Sequence, residues 1–154
     1  MDKKELELLI QDIVSQASEL KNKHTDQANA HVHYCCIFTQ SDEEFEALLG
    51  EVSEIGKMLK ETAMGPLFQI ELIETVSGPL RILKVRKPDT TRPERGDADF
   101  AVSNYVDFKE KYLGKPGFKL IEREDFEMIE LMDPGFDVRA YFSNPPVEVQ
   151  YNLS

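Results

Sequence analysis

The sequence contains no tryptophan, two cysteines, three histidines and no apolar run near the roughly 20 residues that a bilayer-spanning helix requires. The cysteines are neighbours, Cys35 and Cys36. Adjacent strand residues point to opposite faces, so a regular strand cannot bridge them, and two reduced thiols are expected. Neither G-x-G-x-x-G nor G-x-x-x-x-G-K-[ST] occurs, which removes the usual phosphate loops and with them a nucleotide cofactor. Basic residues are also scarce: 18 Lys and Arg stand against 29 Asp and Glu, a formal net charge of −11. A field of that sign repels phosphate backbones and anionic headgroups over a Debye length of about 8 Å, so neither nucleic acid nor a membrane is expected as partner. The opening MDKKELELLIQDIVSQASELKNK is amphipathic and acid-bearing rather than leader-like, and a cytoplasmic location is expected.

What is present is periodicity. The 154 residues suffice for one core, and a single domain, 1–154, is expected. Leu6, Leu9, Ile10, Ile13, Ala17 and Leu20 recur at three- and four-residue steps, predicting a helix over 2–23 with Asp2 as its cap. AHVHYCCIFT reads as a strand. Ser41 with Glu44 makes a capping box, and Phe45, Leu48, Leu49, Val52, Ile55 and Leu59 predict a helix from 42 to about 62, stopped at Gly65-Pro66. FQIELIETV and PLRILKVRK then form a hairpin about Ser77-Gly78.

After the linker PDTTRPERG the order restarts. DADFAVSN reads as a strand and NYVDFKEKYL as a helix capped by Asn104. FKLIERE, FEMIELM, FDVRAYF and VEVQYNL read as strands. The pattern is a doubled βαββ(β) module, 28–90 and 96–153, behind an N-terminal helix. The fold class expected is α+β, an open curled mixed sheet forming a cup with helices outside.

Alternation within the strands makes a separate statement. In AHVHYCC it sends His31, His33 and Cys35 to one face and Val32, Tyr34 and Cys36 to the other. The apolar rows, Val32, Tyr34, Cys36 and Phe38, then Phe100 and Val102, then Val147, Val149 and Tyr151, are expected beneath the helices. His31, His33, Asp99, Glu148 and Gln150 are then expected on the concave side. A wet polar face is ordinary for antiparallel sheets and is not in itself a site. Arg81, Lys84, Arg86, Lys87, Arg92 and Arg95 gather much of the basic charge into one stretch, suited either to receiving a carboxylate or phosphate or to protecting an edge strand.

AHVHYCC before a long helix, GPLFQIELIETVSGPLRILKVRKPD, GDADFAV and SNPPVEVQYNL, in that order, resemble the vicinal oxygen chelate superfamily, the glyoxalase, bleomycin-resistance and extradiol-dioxygenase group. Within it the likeness is to YecM-like proteins, which also carry an extra N-terminal helical segment, and it covers residues 28 to 153. The resemblance implies a metal held by residues of each module's first and last strands: His31, Asp99 and Glu148 here, with His33 in reserve. One histidine and two carboxylates with room for water suit Mn, Fe, Ni or Zn as the divalent ion, which would polarise a substrate oxygen. It further implies a small, oxygen-bearing, anionic metabolite, chemistry of the lyase, isomerase or hydrolase type, and a homodimer, many of the group being dimers.

One family ligand position falls on Lys84, whose protonated amine has no lone pair to give. An inward Lys84 favours the alternative, a metal-free cup that binds a small ligand through His33, Lys84 and Arg86; an outward one leaves the three ligands free. A pure interaction protein docking through its N-terminal helix is the remaining alternative, and it requires Leu6, Leu9 and Ile13 to be exposed.

Overall fold

Asp2 caps the first helix as its position suggests, accepting the backbone N–H of Glu5 at 2.9 Å. In the computed structural model, which describes residues 1–151, this helix, α1, runs from Lys3–His24. Its stripe of Leu6, Ile10, Ile13, Ala17 and Leu20 is wholly buried against the sheet and a second helix, and Leu9 packs beside it. The burial that stabilises α1 is therefore intramolecular, and the docking-helix alternative loses its exposed stripe.

The first module comprises β1 (His31–Phe38), α2 (Asp42–Ile55), β2 (Gly56–Thr62), β3 (Gly65–Thr75) and β4 (Gly78–Arg86). The second comprises β5 (Gly96–Ala101), α3 (Tyr105–Tyr112), β6 (Phe118–Glu122), β7 (Glu127–Leu131) and β8 (Val138–Asn144), followed by a short helix, α4 (Val147–Gln150). Among the described residues the strands form one eight-stranded sheet in the order β2-β3-β4-β1-β5-β8-β7-β6. In each module the opening strand lies parallel to the module's last strand, β1 to β4 and β5 to β8. The modules join through the antiparallel pair β1 and β5. This is the α+β mixed sheet expected, with each module complete as βαβββ.

Ser41 and Asn104 cap α2 and α3 as read, accepting the backbone N–H of Glu44 and Asp107. The second helix, however, is shorter than its periodicity predicts. It ends at Ile55, and 56–62 pair with β3 from Gly56↔Ile70 to Thr62↔Gly65. Gly56 lies so close to Gln69 and Ile70 that a Cβ would collide with them. Leu59, which also fits the helical stripe, packs instead with Leu67, Ile82 and Val147. A short amphipathic run satisfies either period, and the partner strand decided.

The last predicted strand, VEVQYNL, is also corrected. β8 stops at Asn144, and Val147–Gln150 make one helical turn after Asn144-Pro145-Pro146. Asn152 and Leu153 lie outside the described residues. Prolines lack the N–H that a strand ladder uses, so the pairing does not continue through them.

Candidate functional site

The pairing of β1 with β5 slips between Val32 and Tyr34: Val32 faces Phe100, while Tyr34 faces Asp99. An extra residue in one strand is a β-bulge, which interrupts alternation. Val32 and Phe100 stay in the core. His33 meets Asp99, its Nε2 lying 3.0 Å from Oδ1, and Tyr34 and Cys36 line the cup. Tyr34 and Cys36 are thus corrected from the helix side to the concave side, and Cys35 goes to the core with Ala98.

Register arranges the cup in rows. Lys60, Leu67, Lys84, Cys36 and Asp97 are successive cross-strand neighbours. Tyr34, Asp99, Tyr141 and Glu130 form the next row, and Ser143, Met128 and Ile121 the third. Most of these side chains, with Arg86, Arg92, Arg123, Phe126, Val147, Gln150 and Tyr151 among others, enclose a cavity of about 330 Å³. That is at the small end for ligand sites.

The charge inside is opposite to that of the whole chain: Lys60, Lys84, Arg86, Arg92 and Arg123 line the cavity against Asp97 and Asp99. Several of these are committed. Arg86 reaches Asp89 at 3.2 Å. Arg92 donates to the Tyr141 hydroxyl at 3.0 Å, and that hydroxyl donates to Glu130 at 2.6 Å. Asp99 accepts both the backbone N–H of Ser143, at 3.0 Å, and its hydroxyl. Lys84, by contrast, makes no hydrogen bond or ion pair among the described residues, and burial lowers its pKa.

Asp97 also lacks a partner: its Oδ1 is buried without a hydrogen bond, as are Arg86 Nε, Arg92 Nε and His33 Nε2. Burial first, then the neighbouring Asp99, pushes the Asp97 carboxyl up to about 8, against the pull of Arg92, Lys84 and Arg86. At pH 7 it is mostly neutral, which leaves the cup more positive still. Burial likewise raises the Tyr34 hydroxyl and the Cys36 thiol, so neither ionises near neutrality.

His33 ties the C-terminal segment to this wall. The backbone N–H of Val147 donates to its Nδ1 at 3.2 Å, so Nε2 carries the hydrogen and faces Asp99 off the line of a good hydrogen bond.

The expected ligand set fares differently at each position. His31 is exposed at the start of β1, opposite Ala101. Asp99 is buried in the wall and held by Ser143. Glu148 sits partly buried on α4 rather than on a strand. Among the described residues no three His, Cys, Asp or Glu side chains come together in a group that could hold a metal ion. Of the residues named for ligand binding, Lys84 and Arg86 line the cavity, while His33 is buried beside Asp99. The sequence reading missed Tyr34, Cys36, Tyr141 and Ser143 as wall residues; the bulge that exposes the first two has no residue signature in AHVHYCC.

Two like modules joined through their opening strands, each closing parallel on its own last strand, are now in view. The fold is the paired βαβββ sheet that the sequence resemblance implies. Protein EC4020, a solved structural-genomics target, shares this fold at a TM-score of 0.69, with 13% identity over 94% of this chain and 92% of that one. A glyoxalase/bleomycin resistance protein/dioxygenase superfamily member from Vibrio splendidus 12B01 aligns at 0.46, with 7% identity over 74% of this chain and 97% of that one. Hypothetical protein BH1468 from Bacillus halodurans C-125 aligns at 0.42, with 12% identity over 74% and 93%. No family model matches the sequence, and no curated protein matches it either. Among the described residues no helix is long and apolar enough to cross a membrane.

The resemblance read in the sequence implies a divalent ion, and the residues present do not fit one. The ammonium of Lys84 shares the cavity with Asp97 and Asp99, where its charge opposes a second cation. Asp99 directs its oxygens at Ser143 rather than into open space. The donor set therefore favours a guest that brings negative charge.

Proposed function

We propose that the cup binds a small metabolite through an oxyanion, a carboxylate or phosphate, without a metal ion. The observation that carries this reading is Lys84: a cation in the cavity wall, desolvated and lacking an ion-pair partner. A partly buried charge without a counterion is desolvated without compensation, and an incoming anion offsets that cost. Arg86 and Arg92 flank it with planar donors suited to oxyanions. The YecM-like layout, with a helix ahead of the first module, agrees with α1, although it says nothing of chemistry.

Calorimetric titration of chelator-treated protein with inorganic phosphate and with acetate tests the reading. Saturable binding of either, weakened at least tenfold in Lys84→Met, is the expected result. Binding that appears only after Mn²⁺, Ni²⁺ or Zn²⁺ is restored would return the metal reading; no binding under any condition would end both.

One observation favours a catalytic extension of the isomerase or lyase type. A carboxyl poised to titrate near 8, as Asp97 is, suits proton transfer at neutral pH. Exchange of a bound ligand's carbon-attached hydrogen with D₂O, present in the wild type and absent in Asp97→Asn, would support it.

A further inference from the structure

The cup is not uniform along its strands. Lys60, Lys84 and Asp97 belong to the first cross-strand row, whereas Met128 and Ile121 belong to the third, beside Ser143. On β8 those rows are Arg139 and Ser143, four residues apart, or about 13 Å at the usual strand rise. Phe126 and Val147 line the same cavity. Ile121, Phe126 and Met128 are partly exposed rather than sealed in the core, so apolar surface is left open at this end. The cation here, Arg123, is itself exposed and donates to the carbonyl of Glu122.

From this division we infer that the ligand is an amphipathic anion: an oxyanion head at Lys84 and Arg92, and an uncharged, ring-sized apolar body against Ile121, Phe126 and Met128. The inference rests on the oxyanion reading and narrows it. A bare inorganic anion would satisfy Lys84 and leave the third row wet. Covering apolar side chains contributes about 25 cal/mol per Å² removed from water, so the body adds affinity that the head alone lacks. Charge fixes the polarity of binding, because Met128 and Ile121 offer an anion no donor while Lys84 and Arg92 do. Carboxylate and phosphate share this head chemistry, and the experiment separates them.

The full chain, treated with chelator, is titrated with phosphate and phenyl phosphate, and in parallel with acetate and benzoate. In at least one pair the aryl anion is expected to bind ten times or more tighter than its parent, and the pair that responds identifies the head. Met128→Ser and Ile121→Ser should shrink that ratio toward one while leaving the parent anion's affinity unchanged. Unchanged parent binding also shows that the variants are folded. Aryl anions that bind no tighter than their parents would overturn the inference and leave the oxyanion reading standing. Failure of all four ligands to bind would overturn that reading, and this inference with it.

Discussion

His33 and Tyr34, consecutive in the chain, reach the same side of the sheet: Tyr34 lines the cup and His33 lies 3.0 Å from Asp99, which lines it too. The bulge opposite Asp99 makes this possible. His33 is then spent on structure, holding the backbone of Val147. His33→Ala leaves a buried N–H without an acceptor, a loss of roughly 1–3 kcal/mol. The expected outcome is a lower urea midpoint with faster hydrogen exchange at the Val147 amide. Unaltered exchange there would mean that His33 does not anchor α4.

Lys84 carries binding at a cost to the empty fold. Its folded pKa lies below the ordinary lysine value of 10.5, so the unfolded chain holds the proton more tightly. Stability is then reduced while both forms are charged and recovers as pH rises from the folded pKa through that of the unfolded chain. Lys84→Met, which keeps the stem and removes the charge, should therefore melt at or above the wild-type temperature at pH 7 while losing the oxyanion. A clear fall in melting temperature would show that the ammonium has a stabilising partner.

Asp97 predicts a dependence of the opposite kind. Burial raises its carboxyl from the ordinary 3.8 to about 8 in the fold. The unfolded chain therefore releases its proton first, and the fold loses stability as pH rises from about 4 to about 8. Asp97→Asn cannot ionise. Its unfolding free energy should gain on the wild type by at least ~1 kcal/mol between pH 5.5 and 8.5, where each pH unit of full proton imbalance is worth ~1.4 kcal/mol. Denaturant titration at the two pH values measures the difference, and parallel curves would refute the raised value.

Neither cysteine should react with a thiol reagent at pH 8 in the native state. Cys35 is in the core and Cys36 in the cup wall, both buried and free, and burial raises both thiols. The reactive species is the thiolate, which burial suppresses. Two equivalents should react in denaturant, and rapid native labelling of either residue would contradict this packing.

Gly65 opens β3 with φ +142°, and a Cβ there would run into the carbonyl of Val85. Gly65→Ala combines backbone strain with overpacking, roughly 2–3 kcal/mol. A fall in melting temperature of about 5–10 °C is expected for a chain of this size. Gly50, with open space around its position inside α2, is the control: alanine there should be neutral or stabilising.

The two modules are legible along the chain from local signals. Asp2, Ser41 and Asn104 announce the helix starts because capping is local, and the apolar stripe of α1 finds the sheet because an amphipathic face must be covered. Strands β3 through β8 stood out for the same reason, as short alternating runs between turn residues. The charge of the cup was half visible, since Lys84 and Arg86 stood in a basic stretch, but its position was not.

Tertiary structure decided the rest through strand register. Whether 56–62 continued a helix or paired with β3 depended on Ile70 and Gly65, distant partners that no local window contains. Which of His31, His33, Tyr34 and Cys36 faced the cavity depended on one extra residue accommodated opposite Asp99. Alternation follows from regular pairing, and pairing is a property of two strands at once, so a single strand's residues cannot reveal where it slips.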